Sequence, residues 1–156
     1  MEGTAQEIYQ GHLDLVSQAV WDRDYDRVAA VMRYPHVIHL AESDHLIDTE
    51  AELKLDVETF RDSLMGLGAT AYHRVCRDAS FDPSDDDRIT GRHLTYVMRG
   101  GSYLVEPYNC AMILTRVDGV WLGSGIRLAM KLTSGLNYLH PDRYRGTNRQ
   151  PPRHDA

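Results

Sequence analysis

Residues 103–131 read Tyr-Leu-Val-Glu-Pro-Tyr-Asn-Cys-Ala-Met-Ile-Leu-Thr-Arg-Val-Asp-Gly-Val-Trp-Leu-Gly-Ser-Gly-Ile-Arg-Leu-Ala-Met-Lys. β-Branched, aliphatic and aromatic residues flank Asp118-Gly119, a pair that tolerates the positive φ of a two-residue hairpin turn. The spacing predicts strands over 103–117 and 120–131, with Val117 opposite Val120. Toward the N-terminus, Gly100-Gly101 marks a second hairpin turn after a strand over 88–99. Asp82-Pro83-Ser84-Asp85-Asp86-Asp87 is a polar turn that follows a strand over 71–81. The second half of the chain is therefore a run of antiparallel strands joined by short turns.

The first half is mainly helical. Thr4-x-x-Glu7 and Thr49-x-x-Glu52 are capping boxes, in which each side chain satisfies an orphan backbone N–H of the first turn. After Thr4, residues Ile8, Tyr9, Leu13, Leu15, Val16, Ala19 and Val20 share an arc of roughly 160°, and His12 falls inside it. After Thr49, residues Leu53, Val57, Phe60, Leu64 and Leu67 recur at the helical period, and Gly66 and Gly68 end that helix. Between them, a short helix over Asp24–Met32 is expected to bury Val28, Val31 and Met32 and to stop before Pro35. Residues 36–41 read as a strand, Ser43-Asp44 as a turn and 45–47 as a return strand.

A chain of 156 residues suits one domain with a real core. Hydrophobic residues at 42% and charged residues at 26% exclude disordered and collagen-like classes. No stretch approaches the ~20 apolar residues of a membrane-spanning helix. Residues 1–8 carry no secretory apolar segment, so a cytoplasmic location without membrane contact is expected. The net charge of −6 argues against a nucleic-acid partner. Cys76 and Cys110 cannot form a disulfide framework. Residues 1–136 are expected to form the domain. Residues 137–156 read as a polar tail, with Arg143, Arg145, Arg149 and Arg153 against Asp142 and Asp155.

This order of elements is α+β: three helices packed on a strongly curved antiparallel sheet that forms a cone with an internal pocket. The pattern resembles the nuclear transport factor 2-like, or SnoaL-like, superfamily with its cystatin-like cone. The resemblance rests on Trp21-Asp22-Arg23-Asp24-Tyr25, the strand from Pro35 to Ala41, the Thr49-capped helix and Arg116-Val117-Asp118-Gly119-Val120-Trp121. It implies a homodimer formed through the outer sheet face, with the tail bracing the partner. It leaves function open, because the fold hosts isomerases, cyclases, dehydratases and non-catalytic domains. Val105-Glu106-Pro107-Tyr108-Asn109 resembles the ketosteroid isomerase segment that carries a hydrogen-bonding acid, with Asn109 at that position. The isomerase base would fall near Leu40 and its tyrosine near Ser17, so the usual isomerase chemistry is rejected.

Register arithmetic from the Asp118-Gly119 turn sorts the strands into two faces. Ile113, Ala111 and Asn109 share one with Leu122, Ile126, Leu128, Arg92, Leu94 and Tyr96. Its aliphatic content predicts that it is the helix-covered side. Arg92, Tyr96 and Asn109 are then candidate ligand contacts, and Tyr34 and Tyr72 candidate pocket walls. His12, and His39 if it lines the cone, are the candidate acid–base groups, since imidazole titrates near neutrality; an ordinary structural histidine is the commoner reading of each. Neither metal nor cofactor is expected. His36 and His39 fall on opposite strand faces, and the Asp82–Asp87 run lacks the order of a calcium loop. No helix follows Gly123-Ser124-Gly125 to make a phosphate loop. Two classes remain. One is a cofactorless isomerase, dehydratase or cyclase acting on a small apolar or oxygenated metabolite. The other is a non-catalytic binding or assembly domain.

Overall fold

Both predicted helix starts form as the capping chemistry requires. Thr4 Oγ1 accepts the Glu7 N–H at 3.1 Å, and Glu7 returns a carboxylate to the Thr4 N–H at 2.9 Å. Thr49 Oγ1 accepts the Glu52 N–H at 3.2 Å, while Glu52 reaches one residue further back, to the Asp48 N–H. The computed structural model describes residues 3–41, 43–129 and 135–142. The helices are α1 (Ala5–Trp21), α2 (Tyr25–Ala30) and α3 (Glu50–Gly66). The strands are β1 (Met32–His39), β2 (Asp44–Ile47), β3 (Ala71–Asp82), β4 (Asp85–Arg99), β5 (Ser102–Tyr103), β6 (Tyr108–Val117) and β7 (Val120–Leu128).

The strands form one curved, unclosed sheet in the order β2-β1-β7-β6-β4-β3, with β5 paired to β4. Every pairing is antiparallel except β1 with β7, which is parallel. That pairing corrects the expected short helix, which ends at Ala30 instead of Met32. The Val31 carbonyl accepts the Gly123 N–H at 3.0 Å, and Met32 already aligns with Gly123 in the sheet. The approach of β1 needs Gly125, where a Cβ would stand 2.9 Å from the Val37 carbonyl oxygen. The strand expected over 103–117 is also broken, because residues 104–107, which include Pro107, leave the ladder between β5 and β6. The predicted strand end at Lys131 lies outside the described residues.

The two hairpin turns fall where the sequence puts them. Val117 opposes Val120 and Arg99 opposes Ser102. The choice of covered face is reversed, however. Leu114 pairs with Gly123 but Ile113 pairs with Gly125, so Ser124 is an extra residue in β7. This bulge carries Ile126 and Leu128 across to the face of Met112 and Cys110. The aliphatics that argued for one face thus belong to the other. Val97, Tyr108, Cys110, Met112, Leu114 and Leu128 are buried beneath the helices.

The core has two parts. A smaller cluster under the start of α1 joins Ala5, Tyr9 and Leu13 to Ile89, Met112 and Leu114. Tyr9 lies directly on Gly91, where a Cβ would come within 2.3 Å of its ring. A larger cluster joins the later part of α1, α2 and α3 to β1, and includes Leu136 and Leu139. The described part of the expected tail therefore packs on its own chain. The Asn137 N–H donates to Ser63 Oγ at 3.3 Å and the His140 N–H to Asp56 Oδ1 at 2.8 Å, both on α3. At the sheet edge, the Gln10 amide donates to the Arg74 carbonyl at 2.9 Å and accepts the Cys76 N–H at 2.7 Å.

Candidate functional site

The strongest convergence of buried polar groups lies inside the cone. A cavity of about 90 Å³ sits between α1, α3 and the covered sheet face. Its apolar walls include Val16, Ile38, Leu53, Val57, Phe60 and Ile126. His36, Asp56, Tyr72, Arg74 and Tyr138 also line it. A wider, open groove of about 640 Å³ runs outside, between α1 and β3, and shares Tyr72 and Arg74 with the cavity. The cavity is the better site on physical grounds, because charged groups shielded from water act more strongly on whatever enters.

Each polar group is held by its element. His36 points inward from β1 and its Nδ1–H donates to the Gly123 carbonyl at 3.2 Å. That bond fixes the tautomer and leaves Nε2 as an acceptor. Burial pushes its pKa down to about 4, so the ring is neutral at neutral pH. Asp56 is buried in the apolar stripe of α3, and its carboxylate accepts the His140 N–H. Arg74 points inward from β3, where Nε donates to Ser17 Oγ at 2.8 Å and Nη2 to the Leu13 carbonyl at 3.3 Å. Tyr138 packs on Phe60 with ring centroids 4.4 Å apart and shares a hydrogen bond with the Tyr108 hydroxyl. Burial raises the pKa of both phenols well above the usual value, so both stay protonated.

The structure brings only one of the sequence candidates into the cavity lining, Tyr72. Arg92, Tyr96 and Asn109 lie on the opposite, outer face, since the alternate residues His93, Val97 and Cys110 are the buried ones. Arg92 pairs with Asp78, Tyr96 packs near Tyr103, and Asn109 accepts from Arg77. His39 faces outward because Ile38 and Leu40 are buried, and its Nδ1 lies 2.7 Å from an Asp44 carboxylate oxygen. Tyr34 is half-buried, with its hydroxyl donating to the Ala29 carbonyl at 3.2 Å. His12 is buried as its arc predicts, but it stands apart from the cavity lining. Its Nε2–H donates to the Val31 carbonyl at 3.1 Å, and its Nδ1 has no partner. Burial pushes its pKa to about 4.

His36, Asp56 and Arg74 escaped the reading of the sequence as site residues. Asp56 carried a usable signal, since it stands three residues after Leu53 and four before Phe60, inside the apolar stripe. Arg74 shares strand parity with Tyr72, so a correct choice of face would have placed both inward. A second buried cluster was likewise missed. His93 is fully buried on β4, with Nδ1 2.7 Å from the Tyr9 hydroxyl and Nε2 without a partner.

No family model matches the sequence, and no curated protein matches it significantly. Solved structures do match it in fold. One is a domain of unknown function with a cystatin-like fold from Nostoc punctiforme, 15% identical, with a TM-score of 0.62 over 84% of this chain and 80% of that one. A nuclear transport factor 2-like protein with a cystatin-like fold from Novosphingobium aromaticivorans is 9% identical, with a TM-score of 0.58 over 83% of this chain and 86% of that one. A candidate scytalone dehydratase from the same organism is 12% identical, with a TM-score of 0.58 over 81% of this chain and 83% of that one. The chain has the nuclear transport factor 2-like, cystatin-like cone fold.

Proposed function

We propose that the protein binds a compact, mostly apolar, oxygenated metabolite in the cone cavity. We propose further that the site serves a cofactorless isomerisation, dehydration or cyclisation. The observation that carries this reading is the meeting of His36, Asp56 and Arg74 at one apolar cavity, where Asp56 and Arg74 are the buried carboxylate and guanidinium among the described residues. Such a site orients a polar substrate atom and excludes water from it. His36 Nε2 offers an acceptor, the Tyr138 hydroxyl a donor, and Asp56 a carboxylate for proton transfer. A pKa of about 4 makes His36 a weak base in the empty cavity, and a bound anion beside it raises that value. The likeness to a protein named for dehydratase chemistry supports such a reaction on this fold. A non-catalytic binding domain is the second reading. It is favoured by the partners that His36, Asp56 and Arg74 already have within the chain.

Thermal unfolding with millimolar acetone, butanone or 2-butanol, which match the cavity in size, tests the binding reading. Ligand that binds only the folded state raises the midpoint by mass action. Wild-type protein is expected to gain stability, and the cavity-filling variant Val57→Trp is expected to gain none. Equal gains in both proteins, or none in wild type, overturn it.

A further inference from the structure

The arginines of this chain are partnered in an unexpected way. On the surface, Arg23 pairs with Asp62, Arg92 with Asp78 and Arg116 with Asp87. Among the described arginines Arg74 is the buried one, at 8% exposure, and among the described residues it has no carboxylate partner. Its two protein acceptors, the Ser17 hydroxyl and the Leu13 carbonyl, are both neutral. A guanidinium carries five N–H donors and does not lose its proton in a protein. Three donors are therefore left over in a guanidinium that borders both the cavity and the outer groove, 5.9 Å from the Tyr72 ring centroid. Asp56 lines the same cavity but accepts from the His140 backbone and makes no ion pair with Arg74.

A buried cation without a counter-charge is costly. Its persistence is explained when the counter-charge arrives with a ligand. We propose that the Arg74 side of the cavity is an anion subsite and that the molecule bound there is a small carboxylate with an apolar body. This rests on the reading of the cavity as a small-molecule site and names its ligand class. The planar guanidinium edge matches the two oxygens of a carboxylate. Val57, Phe60 and Ile126 offer the apolar body its contact surface. The positive field of Arg74 is also felt next door, where it adds to burial in lowering the pKa of both His12 and His93. A cavity of about 150 Å³ accommodates the six heavy atoms of benzene, so in proportion 90 Å³ suits a carboxylate of about four heavy atoms.

The test is isothermal titration of the full chain with acetate and propionate against acetamide and propionamide. The amides keep the shape and remove the charge. We expect the carboxylates to bind at least 10-fold more tightly than their amides. Arg74→Met is expected to abolish that preference, and Val57→Trp to abolish binding of both. Equal or tighter binding of the amides in wild type, blocked by Val57→Trp, overturns the anion subsite and leaves the cavity reading standing. No binding of either class overturns both. An Arg74→Met variant that is folded by circular dichroism and keeps the carboxylate preference places the anion elsewhere and overturns the assignment. The wild-type comparison decides the matter should that variant fail to fold.

Discussion

Acidification from pH 7.5 to pH 5 should destabilise this protein well before its carboxylates protonate. His12, His36 and His93 are buried, and desolvation is the first cause of the depressed pKa of each. The folded values are about 4 for His12 and His36 and about 3 for His93, against 6.5 for an ordinary histidine. Between 6.5 and about 4 the unfolded chain therefore binds protons that the folded chain refuses. Stability then falls as pH falls through that window and is unaffected above it. One pH unit in this regime is worth about 1.36 kcal/mol per group, so each histidine costs about 2 kcal/mol at pH 5. Three such groups approach about 6 kcal/mol, a large part of the total stability of a typical domain. Urea unfolding at pH 7.5, 6.5, 5.8 and 5.0 measures it, with circular dichroism as the probe. His12→Gln keeps a donor for the Val31 carbonyl and should remove about a third of the pH dependence. A midpoint unchanged between pH 7.5 and 5.0 would refute the claim that these rings are buried and neutral.

Gly91→Ala should lower stability by about 1–3 kcal/mol in urea, since the new methyl overlaps the fully buried Tyr9 ring. An unchanged midpoint would show that α1 does not pack as described. The outer sheet face exposes apolar groups that include Val75, at 48% exposure, and Tyr103, at 56%. We expect a homodimer through that face, and light scattering coupled to size-exclusion chromatography should return twice the chain mass. A monomer at micromolar concentration would refute it. Val57→Trp and Arg74→Met complete the set through the ligand experiments above.

The sequence exposed what depends on neighbours along the chain. The capping boxes at Thr4 and Thr49, the apolar arcs of α1 and α3 and the turns at Gly100-Gly101 and Asp118-Gly119 are all local, and all form. What it hid depends on contacts between distant segments. The parallel pairing of β1 with β7 joins residues about ninety positions apart and has no signature within either strand. The bulge at Ser124 was the costly omission. One added residue puts Ile126 and Leu128 on the face opposite Arg92, Tyr96 and Asn109, so the aliphatic content that argued for that face belongs to the side that carries Tyr72 and Arg74. The charge chemistry expected of Arg92 is present, but on a different arginine. Asp56 was visible as a carboxylate in an apolar stripe, and its meaning emerged only when the stripe was seen to border a cavity.

The two hydrogen bonds from Gln10 to β3 have a consequence for how the protein behaves in a crowd. β3 is an outermost strand of twelve residues, long enough to recruit a strand from another molecule. The side-chain amide offers one donor and one acceptor, at the Arg74 carbonyl and the Cys76 N–H, where an incoming backbone would have to bond. A single glutamine thus imitates a neighbouring strand and occupies the middle of the template. Because it is borne on α1, the template stays closed only while that helix remains docked. Partial detachment of α1 would expose a sticky rim before the rest of the domain unravels, so resistance to self-association is tied to the seating of one helix.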